Sequence, residues 1–203
     1  MKADLKRPRE LGMLIVVGGP GGSGSSTIAK MLAKFYGLHR IYGGELMRGY
    51  AKQKGMSLED FIKYIDENNL ENEYDRKIDR SLIKHAYTKD VLIESKIFAY
   101  LAFKYRVPTT VKIWLTASRE VRAMRALLKD NIHSGLDSDE YKKALDDLDI
   151  RYESDSKRYK EIYGVDYSSP KLYNDIVIDS SKINELSTFN LVVKLINDGG
   201  FYK

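Results

Sequence analysis

The sequence predicts an α/β protein, a five-stranded parallel sheet flanked by helices, and three observations carry that prediction. Met13–Val17 is an unbroken apolar run, the pattern of a strand covered on both faces, and it leads through a glycine-rich turn into a helix. Four further short runs, Arg40–Tyr42, Val91–Glu94, Val111–Leu115 and Asp175–Asp179, are separated by stretches with helical spacing. The 203 residues contain no repeat, low-complexity tract or obvious linker, so one domain spanning 1–203 is expected.

The helices follow in order. Ile28, Met31, Leu32 and Phe35 mark the apolar side of the first, which Gly37 ends. Ser57 caps the next, with Asp60 three residues on and Leu58, Phe61, Ile62 and Ile65 on one face. Another runs through Tyr74, Ile78, Leu82 and Ala86, and this pair reads as a small helical insertion within 46–88. Ser118 opens a helix through Val121, Met124 and Leu128. Tyr141, Leu145, Leu148 and Tyr152 keep helical spacing in Ser138–Tyr163, and Asn184–Asp198 closes the chain.

Composition narrows the function classes. With 43% hydrophobic and 31% charged residues the chain is globular rather than disordered. The net charge of +5 is mild and spread along the chain, so an anionic small molecule suits it better than nucleic acid. The absence of cysteine excludes disulfides and thiolate metal sites and fits a reducing compartment. His39, His85 and His133 match no metal spacing. The start, Met1-Lys2-Ala3 onward, has a leader-like charge, but its apolar run is short and enters the glycine turn directly. No stretch is long enough to span a membrane, and a cytoplasmic location is expected.

The glycine turn carries the chemistry. Gly19-Pro20-Gly21-Gly22-Ser23-Gly24-Ser25-Ser26 fits the phosphate-loop pattern G-x-x-x-x-G-K-[ST] except that Ser25 replaces the lysine. Glycines let backbone amides converge on phosphates, and the N-terminus of the following helix adds to the attraction. Gly19, Gly21, Gly22, Ser23, Gly24, Ser25, Ser26 and Thr27 are therefore the expected ATP-binding residues, with the Ser26 hydroxyl placed for Mg²⁺. The missing lysine leaves two readings open: another cation supplies its charge, or the protein binds nucleotide without turnover.

Around this loop the chain resembles the nucleoside monophosphate kinases, specifically the archaeal-type cytidylate kinase family. The stretches that carry the resemblance are Gly19–Thr27, Gly43–Arg48, Glu94-Ser95-Lys96, Glu120–Arg125 and Arg151–Gly164, followed by Asp175–Asp179. It implies a phosphate-loop kinase fold in which 46–88 binds the nucleoside monophosphate and about 129–155 forms a short lid. Arg48 is then a donor to the acceptor phosphate, and Glu94 a second holder of Mg²⁺. Lys96 stands where relatives usually carry the arginine of Glu-Gly-Arg, which keeps the charge and loses the two-pronged grip. Arg125 and Lys129, one turn apart after the fourth strand, are expected at the donor phosphates. Arg151, Asp155 and Arg158, at i, i+4 and i+7, form a stripe that the resemblance makes the lid-side catalytic wall. The insertion also supplies polar groups on the acceptor side, Gln53, Asp75, Asp79 and Arg80, with Asp79 and Arg80 the further candidates.

The reaction implied is transfer of the ATP γ-phosphate to CMP or dCMP with Mg²⁺. Nucleotides are the expected partners of a monomer, without nucleic acid or membrane. A kinase of AMP or of a small metabolite, and a non-catalytic nucleotide sensor, remain the alternatives.

Overall fold

Five strands, β1 (Leu14–Gly18), β2 (His39–Tyr42), β3 (Val91–Glu94), β4 (Val111–Thr116) and β5 (Ile176–Asp179), form one parallel sheet in the order β2-β3-β1-β4-β5. The computed structural model describes residues 6–133, 135–166 and 168–201. The leader-like Met1-Lys2-Ala3 and Ser134 of the 129–155 stretch lie outside the described residues. From β1 the chain passes to β2 on one side, and from β3 it crosses β1 to reach β4 on the other. Connections that diverge in this way open a crevice at the carboxyl ends of the strands.

Side chains alternate across the sheet and build two cores. Ile15 and Val17 of β1 join Val111, Ile113 and Leu115 beneath α1 (Ser25–Tyr36) and α8 (Glu185–Asp198). Leu14 and Val16 join Val91 and Ile93 beneath α4 (Glu71–His85) and α5 (Phe98–Lys104). Both faces of the central strand are thus apolar, which is why its sequence reads as a continuous run.

Two smaller cores support the rim. Between β2 and α4 lie α2 (Gly43–Gln53) and α3 (Leu58–Glu67), joined to α4 by buried Ala51, Phe61, Ile65 and Tyr74. After β4, α6 (Arg119–Lys129) packs on the long α7 (Asp139–Tyr163) through Ala123, Leu127, Tyr141 and Leu148. Ser57 forms the expected cap, its side chain accepting from the amide of Asp60, and the side chains of Ser118, Ser138 and Asn184 likewise accept from the amides of Val121, Tyr141 and Ser187.

Three apolar positions differ from expectation. Phe35, Ile62 and Leu128 are more than half exposed. Phe35 lies at the edge of the α1 stripe, where it meets the rings of Tyr36 and Phe189 instead of the core. On α6 the buried positions are Ala123 and Leu127, one residue before the pair Met124 and Leu128 expected from the spacing. Two helices, α2 and α5, were not anticipated. Gly43, Gly44 and Gly49 mask the first, because glycine weakens the helical signal by about 1 kcal/mol each.

Candidate functional site

A cleft of about 1050 Å³ opens at the carboxyl ends of the strands. Every residue of the expected ATP-binding loop, Gly19 and Gly21 through Thr27, lines it. The loop is held from behind. Arg125 on α6 donates from Nη1 to the Ser23 carbonyl (3.3 Å) and the Ser180 hydroxyl (2.9 Å), and from Nη2 to the Ser180 carbonyl (2.8 Å). Arg122 donates to the Gly21 carbonyl (3.3 Å). Two loop carbonyls are thereby tied to α6.

Two glycines are required by geometry. Gly22 has φ +78°, and a Cβ there would stand 2.5 Å from the Arg122 carbonyl oxygen. A Cβ on Gly19 would meet the Leu115 carbonyl and the Ser23 hydroxyl, both at 2.4 Å. The first helical bond of α1 runs from Ile28 N–H to the Gly24 carbonyl (3.0 Å). The amides of Ser25, Ser26 and Thr27 precede it and have no carbonyl one turn back; that of Ser25 donates to the Ser23 hydroxyl (3.4 Å), and such a helix start is suited to an anion.

Ser26 donates its hydroxyl to Oε1 of Glu94, which ends β3. The other carboxylate oxygen, Oε2, accepts from Arg40 Nε (2.8 Å) and also from Arg40 Nη2. Arg40 lies over the Tyr42 ring, 4.0 Å from Cζ to centroid. Among the described residues no group of three or more His, Cys, Asp or Glu is placed to hold a metal. A hydroxyl beside one carboxylate suits Mg²⁺ nonetheless, because that ion takes few protein ligands and completes its shell with phosphate oxygens and water.

The second end of the cleft is lined by Tyr42, Ile78, Leu82 and Tyr159, with the Asp75 carboxylate among them. Here a chain of alternating charges joins three elements. Lys96 donates to Oδ2 of Asp155 on α7, and Oδ1 of Asp155 accepts from Arg158 Nη2 (2.7 Å). Arg158 Nε pairs with Asp75 Oδ2 on α4 at 2.9 Å. Burial raises the pKa of Asp75, an effect that Arg158 opposes and Asp155 and Glu71 reinforce. Burial also works against the Arg158 charge, but Asp75, Tyr159 and Asp155 outweigh it, so its pKa lies above the ordinary value.

The expected site residues therefore separate into groups. Arg125, Lys129, Arg151, Lys96, Ser26 and Glu94 stand on the cleft wall with the loop. Arg151 lies beside Gly21, 3.9 Å from where a Cβ would be. Asp155 and Arg158 stand behind the wall, bound to its charged members. Arg48 is at the rim, where it donates to the Tyr42 hydroxyl. Two expected acceptor contacts do not reach the cleft. Arg80 is exposed on the far side of α4, and Asp79 is buried against Tyr163, whose hydroxyl donates to it. The spacing of α4 explains Arg80, which points away from the face shared by Asp75, Ile78 and Leu82, whereas Asp79 lies on that face and is taken up by Tyr163 of α7. The sequence reading did not single out Arg40, and left Asp75 as one of several polar groups on the insertion; helical phase with Ile78 and Leu82 is the signal that distinguishes Asp75.

Among the described residues, six cations and three acids line the cleft, so it favours an anionic ligand. No helix among those residues is long and apolar enough to cross a membrane.

Comparison with known proteins agrees with this geometry. The chain is 37% identical over 186 residues to the cytidylate kinase of Methanocaldococcus jannaschii, covering 92% of this chain and 98% of that protein. It is 37% identical over 193 residues to that of Methanopyrus kandleri, at 92% and 94% coverage. Among solved structures, shikimate kinase from Bacteroides thetaiotaomicron superposes with a TM-score of 0.60 at 12% identity, covering 92% of this chain and 97% of that one. Shikimate kinase from Acinetobacter baumannii, in complex with shikimate, gives 0.55 at 16% identity, with 94% and 96% covered. These structures share the sheet and its flanking helices. The pattern of the cytidylate kinase-like family matches residues 14–182, and the chain belongs to that family.

Proposed function

We propose that the protein is an ATP-dependent kinase of CMP and dCMP. The observation that carries this reading is that one cleft joins the glycine loop to a second end where Asp75 stands among Tyr42, Ile78 and Tyr159. A donor phosphate chain on the loop amides and an acceptor base against the apolar residues would meet near Ser26, Glu94 and Lys96. Membership of the cytidylate kinase-like family supports the choice of base.

The chain's residues then divide the work. Amides of Gly21–Thr27 bind the donor phosphates, and Arg125 fixes the loop through its carbonyls. Ser26 and Glu94 hold Mg²⁺, which supplies charge neutralisation when bound with ATP. Lys129 and Arg151 line the donor end, while Lys96 and Arg48 serve the acceptor phosphate. Asp155 orients Lys96 and Arg158, and Asp75 accepts the amino group of cytosine. An anionic oxygen of the acceptor phosphate bonds to the γ-phosphorus as the bond to the β,γ-bridging oxygen breaks, giving ADP and the nucleoside diphosphate. No protein nucleophile is needed, and catalysis is positioning and charge stabilisation. The insertion at 46–88 and the stretch 129–155 act as acceptor-binding and lid segments. A cytoplasmic monomer acting on small nucleotides, without nucleic acid or membrane, completes the reading.

The test is kcat/KM for CMP, dCMP, UMP, AMP and GMP with Mg-ATP at one salt concentration. CMP and dCMP are expected to lead, since a purine leaves buried polar groups unpaired at about 1–3 kcal/mol each. Preference for AMP would overturn the cytidylate reading and keep the kinase. Tight ATP binding without turnover of any monophosphate would leave a nucleotide sensor.

A further inference from the structure

We propose that Arg40 is a positioning residue that clamps one oxygen of Glu94, so that the other oxygen stays on the Ser26 hydroxyl at the donor end of the cleft. The proposal rests on the reading of the glycine loop as the donor site. Arg40 lies in the short strand β2, and its side chain is 16% exposed against 14% for Glu94. Two of its nitrogens converge on Oε2 of Glu94, while Oε1 is left to Ser26. The two oxygens of one carboxylate thus have different partners.

The backbone explains the reach. β2 runs parallel to β3 with Tyr42 opposite Glu94, so Arg40 approaches the carboxylate from two residues back along the neighbouring strand. The Tyr42 ring supports the guanidinium face at 4.0 Å, and the carboxylate holds its edge. A glutamate at a strand end has several rotamers available. A planar fork bound to one oxygen selects among them, which a lysine with a single ammonium contact does less well. The other cleft cations are engaged differently: Arg125 with the Ser23 and Ser180 carbonyls, and Lys96 with Asp155. Among the described residues, only Arg40 has its charge fixed directly to the Ser26–Glu94 pair.

The experiment uses the full chain and the variants Arg40→Gln, Arg40→Lys, Glu94→Gln and the double variant Arg40→Gln/Glu94→Gln. Calorimetric ATP affinity is measured across a Mg²⁺ titration, with kcat and thermal unfolding alongside. Arg40→Gln is expected to lower Mg²⁺-dependent ATP affinity and kcat by roughly 10–100-fold, as loss of a partner that orients a ligand does. Arg40→Lys is expected to recover part of both. In the Glu94→Gln background, removing Arg40 is expected to change them by less than about threefold, because the two act as a unit.

A Mg²⁺ dependence within twofold of the parent in Arg40→Gln, with only the melting temperature lowered, would make Arg40 a strut between strands and overturn the proposal. Multiplicative losses in the double variant would overturn it too, placing Arg40 on the nucleotide itself. Should Arg40→Gln fail to fold, the same cycle run with Arg40→Lys decides between these outcomes. Absence of Mg-ATP binding by the parent protein would overturn the donor-site reading first, and so is distinguishable from a failure of the Arg40–Glu94 coupling.

Discussion

Asp79→Asn should make the protein more stable at neutral pH. Asp79 is 8% exposed on α4 and accepts the Tyr163 hydroxyl from α7. Burial raises its pKa from 3.8 to about 6; Tyr163 and Arg158 oppose the rise, and Asp75 adds to it. At roughly 1.4 kcal/mol per pH unit, that rise corresponds to about 3 kcal/mol. The folded state binds the proton more tightly than the unfolded chain, so the associated stability is fully present below about pH 4 and is lost as pH rises through about 6. At pH 7.5 the ionised carboxylate is a burden. Asparagine carries no charge and keeps an oxygen for Tyr163. Urea unfolding at pH 4.5, 5.5, 6.5 and 7.5 should show the two proteins converging at the acid end. At pH 7.5 the variant should lead by up to about 3 kcal/mol, or about 6–12 °C in Tm for a chain of this size. Asp75, whose pKa burial also raises, repels Asp79, so the difference between the two proteins reports the loss of the Asp79 charge together with that repulsion. A difference that stays constant across pH, or a less stable variant at pH 7.5, would refute the reasoning.

Two further perturbations bear on the loop. Ser26→Ala should lower kcat by roughly 10²-fold and weaken the Mg²⁺ dependence of ATP binding, because the exposed hydroxyl donates to Glu94 at the donor end of the cleft. Its melting temperature should stay at the parent value, and parental turnover would remove the metal-holding role. Gly22→Ala places a Cβ 2.5 Å from the Arg122 carbonyl at φ +78°. It should destabilise the fold by about 1–3 kcal/mol and reduce ATP affinity, measured by urea unfolding and calorimetry. Parental stability and affinity would mean that the loop does not need its close approach to α6.

The strands were legible because β1, β3 and β4 are covered on both faces and so read as continuous apolar runs. The Ser57 cap was legible because a capping side chain bonds an amide three residues away, a local arrangement. Periodicity was less informative at stripe edges. It gives the direction of a helix's apolar side but not how wide a neighbour covers it, so Phe35 and Ile62 fit the pattern and stay exposed. The seven-residue α5 is too short for a periodic signal, and its aromatic residues look equally like a strand.

The site divides along the same line between local and distant contacts. The glycine loop is contiguous, so its residues and their order could be read directly. The charge partners could not, since Arg40 meets Glu94 across 54 positions and Lys96 meets Asp155 across 59. Which cation stands in for the missing lysine at Ser25 therefore depends on pairings that lie far apart in the chain. Arg125 faces the cleft, yet its donors are occupied by carbonyls that shape the loop. Arg158 shares itself between two aspartates, and Lys96 is matched by Asp155. Lys129 and Arg151 line the cleft and are exposed. A fixed lysine would hold its charge among the loop amides throughout. Here the paired cations hold the walls in place, and Lys129 and Arg151 line the cleft as exposed charges. Such a site is expected to depend more on closure over the nucleotide than one with a lysine in its loop, because exposed charges gain strength only when water is excluded around them.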